Sequence, residues 1–167
     1  MGIFTWFYGE PPKRLKVKQV YAVAFSQDGR VLVKVHHVGD KTDYNLIGGK
    51  PEKFDKNRED TLRREYVEEV NTTLKKDVYM LGYQEVNEGN GVPIYAQIRM
   101  VAMIDKIGEL KPDPDGGEIY ERLLVSPKRA IDLLGWGEIA EKVVNGAVEI
   151  AKEKFGLKFT NTTEERV

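Results

Sequence analysis

The chain has 167 residues, 41% hydrophobic and 32% charged, enough for one domain with a sizeable core. Its 26 basic and 27 acidic residues leave a net charge of −1, so no overall field draws it to nucleic acid or to a membrane. Cysteine is absent, which excludes disulfides, thiolate catalysis and zinc–thiolate sites, and only His36 and His37 are available for imidazole chemistry.

No apolar run approaches the roughly 18 to 20 residues that span a bilayer. Met1 to Tyr8 lacks a basic segment followed by a long apolar stretch, so no secretory signal is expected and the cytoplasm is the default compartment. Lys16 to Phe25 reads as a strand, with Val17, Val20, Ala22 and Ala24 apolar. Ser26-Gln27-Asp28-Gly29 supplies turn chemistry, and Arg30 to His37 reads as a second strand. Tyr44 to Ile47 is a short extended piece that enters the pair Gly48-Gly49.

From about Asn57 to Val70 the period becomes helical. Leu62, Tyr66 and Val70 stand at i, i+4 and i+8, with Val67 at the edge of that stripe. Asp55 or Asn57 can cap the start, Glu59 and Asp60 suit the positive end of the dipole, and Asn71 is a stop able to adopt a left-handed conformation.

Val78 to Val86 and Val92 to Ile104 read as an antiparallel pair around Asn87-Glu88-Gly89-Asn90-Gly91. Lys111 to Gly117 is a loop, and Glu118 to Val125 returns to strand. Pro127 opens a short helix through Leu134, and a last helix runs from about Glu138 to Phe155, stopped by Gly156. The polar stretch from about residue 157 to 167 reads as a disordered tail. Strands mixed with separated amphipathic helices predict an α+β fold of α/β/α sandwich type, a mixed β-sheet between helices.

The informative segment is Arg64-Glu65-Tyr66-Val67-Glu68-Glu69. Glu65, Glu68 and Glu69 lie at i, i+3 and i+4, so they share one helical face and repel one another. A hard divalent cation would reverse that sign, since Mg²⁺ takes carboxylate oxygens together with substrate phosphates. The bland alternative is a solvated helix in which Arg64 pairs with Glu68 at i+4.

With Gly48-Gly49 before it and Asp55 between, this segment resembles the signature of the Nudix hydrolase family. That signature reads glycine, five residues, Glu, seven residues, then Arg-Glu-aliphatic-x-Glu-Glu-x-Gly-aliphatic. The chain departs from it in several places. Asp55 replaces Glu, eight residues instead of seven separate Asp55 from Arg64, Tyr66 and Thr72 replace aliphatics, and Asn71 replaces the closing Gly. No metal-binding oxygen is lost.

The resemblance implies a Nudix-like fold and an enzyme, a pyrophosphohydrolase that uses Mg²⁺ or Mn²⁺ and water on a nucleoside diphosphate derivative. It implies Glu68 and Glu69 as principal metal ligands, Glu65 as ligand or general base, and Arg64 as the residue orienting the cluster. The Gly48 carbonyl would complete the metal shell and Gly49 would permit close approach of substrate, with Lys50 able to touch phosphate. For the further carboxylate that many members recruit from a late loop, Glu118 is the first choice and Glu121 the second. Asp113 and Asp115 suit a turn, with metal contact as the alternative.

Trp6, Phe7, Tyr8, Tyr44, Tyr83 and Tyr95 can stack on a base or fill the core. His36 and His37 read as surface residues. Family tags for ADP-ribose, dinucleoside polyphosphate, coenzyme A and NADH substrates are missing, which leaves nucleoside triphosphates by elimination. The expected partner is a small nucleotide, with no membrane and no specific nucleic acid, and a homodimer stays open. A catalytically degenerate nucleotide-binding module is the alternative. Isoprenoid diphosphate isomerase chemistry, which wants a cysteine, is not.

Overall fold

The computed structural model describes residues 2–167. Nine strands form one sheet, and its centre is β2 (Lys16–Phe25). On one side β2 runs parallel to β7 (Tyr95–Ile107), which pairs antiparallel with β6 (Thr72–Asn87). On the other side it meets β3 (Val31–Val38) only at Phe25 and Val31, and then diverges to pair with β5 (Ile47–Gly49). That divergence inserts the glycine pair between β2 and the helix that follows. Strand β4 (Lys41–Asn45) folds back on β3, and β8 (Glu121–Val125) lines its far edge.

The alternation along β2 and β7 explains the layers. Val20, Ala22 and Ala24 on one face pack with Ile98, Met100 and Ala102 against Leu62, Tyr66 and Val70 of α1 (Arg58–Val70). Val23, Phe25, Val101 and Met103 on the other face pack against α2 (Pro127–Leu134) and α3 (Glu138–Phe155). The expected sheet between helices is therefore present.

Helix α1 begins at the N-cap Asn57, whose side chain accepts from the Asp60 amide at 2.9 Å, so Asn57 and not Asp55 is the cap. It ends at Asn71 with φ 44°, the left-handed stop expected there. The predicted bounds of α2 and α3 match those observed. Strand β6 begins at Thr72 and not Val78, and β7 ends at Ile107 and not Ile104, because the two prolong each other's hydrogen-bond ladder. By contrast, β7 begins only at Tyr95 and not Val92, and β8 at Glu121 and not Glu118.

Two segments correct the sequence reading. Ile3–Tyr8, given no structure, forms β1, the edge strand beside β6. Residues 157–167, expected to be disordered, are held in place. Leu157 is buried, Phe159 packs edge-on to Phe25, and Glu165–Arg166 pairs with β8 as β9. Glu165 also pairs with Arg30 at 2.8 Å, and the Val167 carbonyl accepts from Arg122 Nε at 2.8 Å. One side chain and one backbone carbonyl of this segment answer buried arginines far away in sequence, so composition alone could not reveal the anchoring. Among the described residues no helix is long and apolar enough to cross a membrane.

Candidate active site

Three elements meet at the acidic face of α1: the glycine turn of β5, the strand β3, and the loop between β7 and β8. Glu69 is buried, with the amide of Gly48 donating to its Oε1 at 3.3 Å and the Lys34 ammonium of β3 donating to its Oε2. Burial raises the Glu69 pKa, against the opposing pull of Lys34. Glu65 lies under the turn. Burial first, and then the charge of Glu69, push its pKa up to about 7. A Cβ on Gly49 would overlap the Glu65 carboxyl, so only glycine lets the turn lie this close.

Arg64 gathers four groups. Its Nε and Nη2 bind both oxygens of Asp55 at 3.2 and 3.0 Å, and its Nη1 reaches Glu65 at 3.0 Å and Glu68 at 3.1 Å. The Lys50 carbonyl accepts from Nη2 at 2.8 Å, while the Lys50 side chain is exposed. Asp55 also accepts from the Glu52 amide and the Thr61 hydroxyl, and the arginine chiefly holds its pKa down at about 2. Although eight residues separate Asp55 from Arg64, the two side chains still meet in this bidentate grip. The i+4 pair of Arg64 with Glu68 exists too, as one strand of the network.

Glu68 faces the late loop. One carboxylate oxygen from each of Glu68, Asp113 and Asp115 lies within 4.8 Å of the others. Asp113 serves its turn as well, since its backbone and side-chain oxygens accept from Asp115, Gly116 and Gly117. Glu118 is exposed and bound to His36 Nε2 at 2.6 Å, whereas Glu121 binds His37 and Arg166. His36 thus ties Glu118 of this loop to β3, and His37 ties the first residue of β8 to it.

The structure brings together Arg64, Glu65, Glu68, Glu69, Gly48 and Gly49, and adds Asp113 and Asp115. Lys34 was missed. It reads as one strand residue among many, and only the packing of β3 against α1 reveals its partner. Tyr120, whose ring lies 4.6 Å below the Lys34 ammonium, was missed for the same reason. These carboxylates are hard oxygen donors, two of them strained by burial, so they fit Mg²⁺ or Mn²⁺.

A mixed sheet between helices, with a glutamate-bearing helix after a glycine turn, is the architecture of Nudix hydrolases. The NUDIX domain matches residues 15–145, and the chain belongs to that family. Among solved structures it resembles the Bacillus subtilis pyrophosphohydrolase BsRppH (22% identity, TM-score 0.52), over 64% of this chain and 62% of that one. A NUDIX hydrolase from Listeria monocytogenes is 19% identical with a TM-score of 0.61, covering 86% and 99%. The Bacillus halodurans mutator MutT protein is 20% identical with a TM-score of 0.53, covering 75% and 80%. At these identities the likeness is one of fold. No curated protein matches the chain in sequence.

Proposed function

We propose that this protein is a Mg²⁺- or Mn²⁺-dependent pyrophosphohydrolase acting on a nucleoside diphosphate derivative, such as a nucleoside triphosphate. One observation carries the reading: α1 sets Glu65, Glu68 and Glu69 beside the Gly48-Gly49 turn, with burial raising the pKa of Glu65 and of Glu69. The BsRppH and MutT likenesses agree with it.

Glu68 and Glu69 would hold the metal, with Asp113 and Asp115 beside Glu68. The bound ion would neutralise the diphosphate oxygens and acidify the attacking water. Glu65, held by Arg64 and facing the glycine turn, is the carboxylate that would accept the proton of the attacking water. Arg64 keeps Glu65 and Glu68 in place through charge-assisted hydrogen bonds. Gly49 leaves room between the turn and Glu65. Glu118, tethered by His36, is the reserve carboxylate of the loop.

An activity screen with Mg²⁺ across nucleoside triphosphates, sugar nucleotides and dinucleotides tests this reading. Turnover should vanish in Glu69→Gln while the circular dichroism stays native. Turnover retained by that variant refutes the site. Tight nucleotide binding by the wild type without any hydrolysis would instead identify a degenerate binding module.

A further inference from the structure

On the face of the sheet opposite α1 lies a cavity of about 430 Å³, lined by Arg99, Tyr21, Trp136, Gln19, Gln97 and Asn45. Arg99 is only 4% exposed. Its Nη2 donates to Gln84 Oε1 at 2.6 Å and to Gln97 Oε1 at 3.2 Å, and its Nη1 to the Ile98 carbonyl at 3.3 Å. Its guanidinium lies over the rings of Tyr21, at 4.7 Å, and Trp136, at 5.5 Å. Every one of these partners is neutral. Among the described residues no carboxylate pairs with Arg99, and its buried Nε finds no acceptor. A guanidinium carries five N–H donors, so three hydrogen bonds leave two unused. The Nε is sealed within the protein, so the unused N–H on Nη1 is the donor that this cavity-lining cation has left for an acceptor.

The cavity adjoins the candidate active site. Tyr21 is the register partner of Arg99 in β7 and of Gly48 in β5. The Tyr21 ring, which lines the cavity, lies against Gly48, where a Cβ would meet it at 2.6 Å, so the glycine turn borders this opening.

We propose that the cavity holds the base of the nucleotide, and that Arg99 makes it select bases with a carbonyl at the facing edge over bases with an amino group there. Guanine, hypoxanthine and uracil are of the first kind, and adenine and cytosine of the second. This deepens the nucleotide reading of the α1 site and rests on it. The physical reason is that arginine only donates. A ring carbonyl accepts from it, whereas a ring amino group sets donor against donor. The Gln84 and Gln97 amides are oriented by Arg99 itself, which binds their oxygens, so their orientation follows from Arg99 and the choice rests with it. The rings of Tyr21 and Trp136 stack with any base and set affinity, not choice.

The test is calorimetric binding of nucleoside monophosphates to the wild-type protein in EDTA, where no hydrolysis intrudes. IMP and AMP are the decisive pair, since they have the same size and differ at ring position 6 and the adjoining nitrogen. IMP, GMP and UMP should bind about tenfold or more tightly than AMP and CMP. Arg99→Met should bring that ratio to about one. Equal or tighter binding of AMP by the wild type overturns the proposal, as does a folded Arg99→Met that keeps the preference. If Arg99→Met fails to fold, the wild-type IMP to AMP ratio alone decides. Turnover with Mg²⁺ separates the two readings. Hydrolysis with no carbonyl preference sinks the assignment of the cavity only. A carbonyl preference in binding, with no diphosphate cleaved, sinks the catalytic reading and supports the cavity.

Discussion

The Lys34 ammonium of β3 rests against the Glu69 carboxylate of α1, joining the sheet to the acidic helix at the point where a cation is needed. The pair is largely shielded from water, so each charge depends on the other. Lys34→Met should therefore leave Glu69 buried without a counterion. Removing one partner of such a pair costs about 3–5 kcal/mol, and protonation of Glu69 would recover part of that. We expect a loss of about 3 kcal/mol in urea unfolding at pH 8 in EDTA, shrinking in saturating Mg²⁺. A deficit that is the same with and without metal would show that the ion does not reach Glu69.

Glu65 predicts a pH dependence. Its pKa is raised by burial to about 7, so the folded state binds its proton more tightly than the unfolded chain does. The stabilisation it gives is complete below the unfolded carboxylate pKa of about 4.3 and is lost as pH rises through 7. Glu65→Gln carries no such penalty. In EDTA the variant should gain on the wild type steadily from pH 5 to pH 8, by roughly 2 kcal/mol at the upper end. Mg²⁺ should reverse the order, because the ion stabilises the charged form.

Gly49→Ala places a methyl group where the Glu65 carboxyl now lies. Glu65 must move, and a displacement of about 1 Å at a reacting group costs on the order of 100-fold in rate. We expect kcat to fall by about that factor while the melting temperature changes little. An unchanged kcat would remove Glu65 from the reaction.

Arg64→Lys keeps the charge and loses the planar fork. Lysine cannot grip both Asp55 oxygens and still reach Glu65 and Glu68. The variant should lose about 2 kcal/mol of stability, as expected for a charge-assisted hydrogen bond. It should also raise the metal concentration needed for half-maximal activity. Full stability with normal metal dependence would argue that the network is incidental.

Much was legible because it is local. The stripe of Leu62, Tyr66 and Val70, the cap Asn57, the stop at Asn71 and the alternation of β2 all follow from spacing. The shared face of Glu65, Glu68 and Glu69 follows from the helical period. Strand β1 was not legible from alternation, because apolar and aromatic residues fill Ile3–Tyr8 on both faces with only Thr5 between them. The tail was misread for lack of any local sign that Arg30 and Arg122 would hold it.

The sequence by itself determined which residues could form an acidic helix after a glycine turn, since helix period and turn chemistry act over a few residues. It left open how each acid is held. Tertiary structure decided that Lys34 faces Glu69, that Arg64 clasps Asp55, and that Arg99 is buried among neutral partners. Those outcomes depend on strand order, on which layers meet and on how the turn before α1 folds back, and so on contacts that no helical or strand period encodes. The same burial that creates them shifts the titration of Glu65 and Glu69, a property no spacing rule encodes.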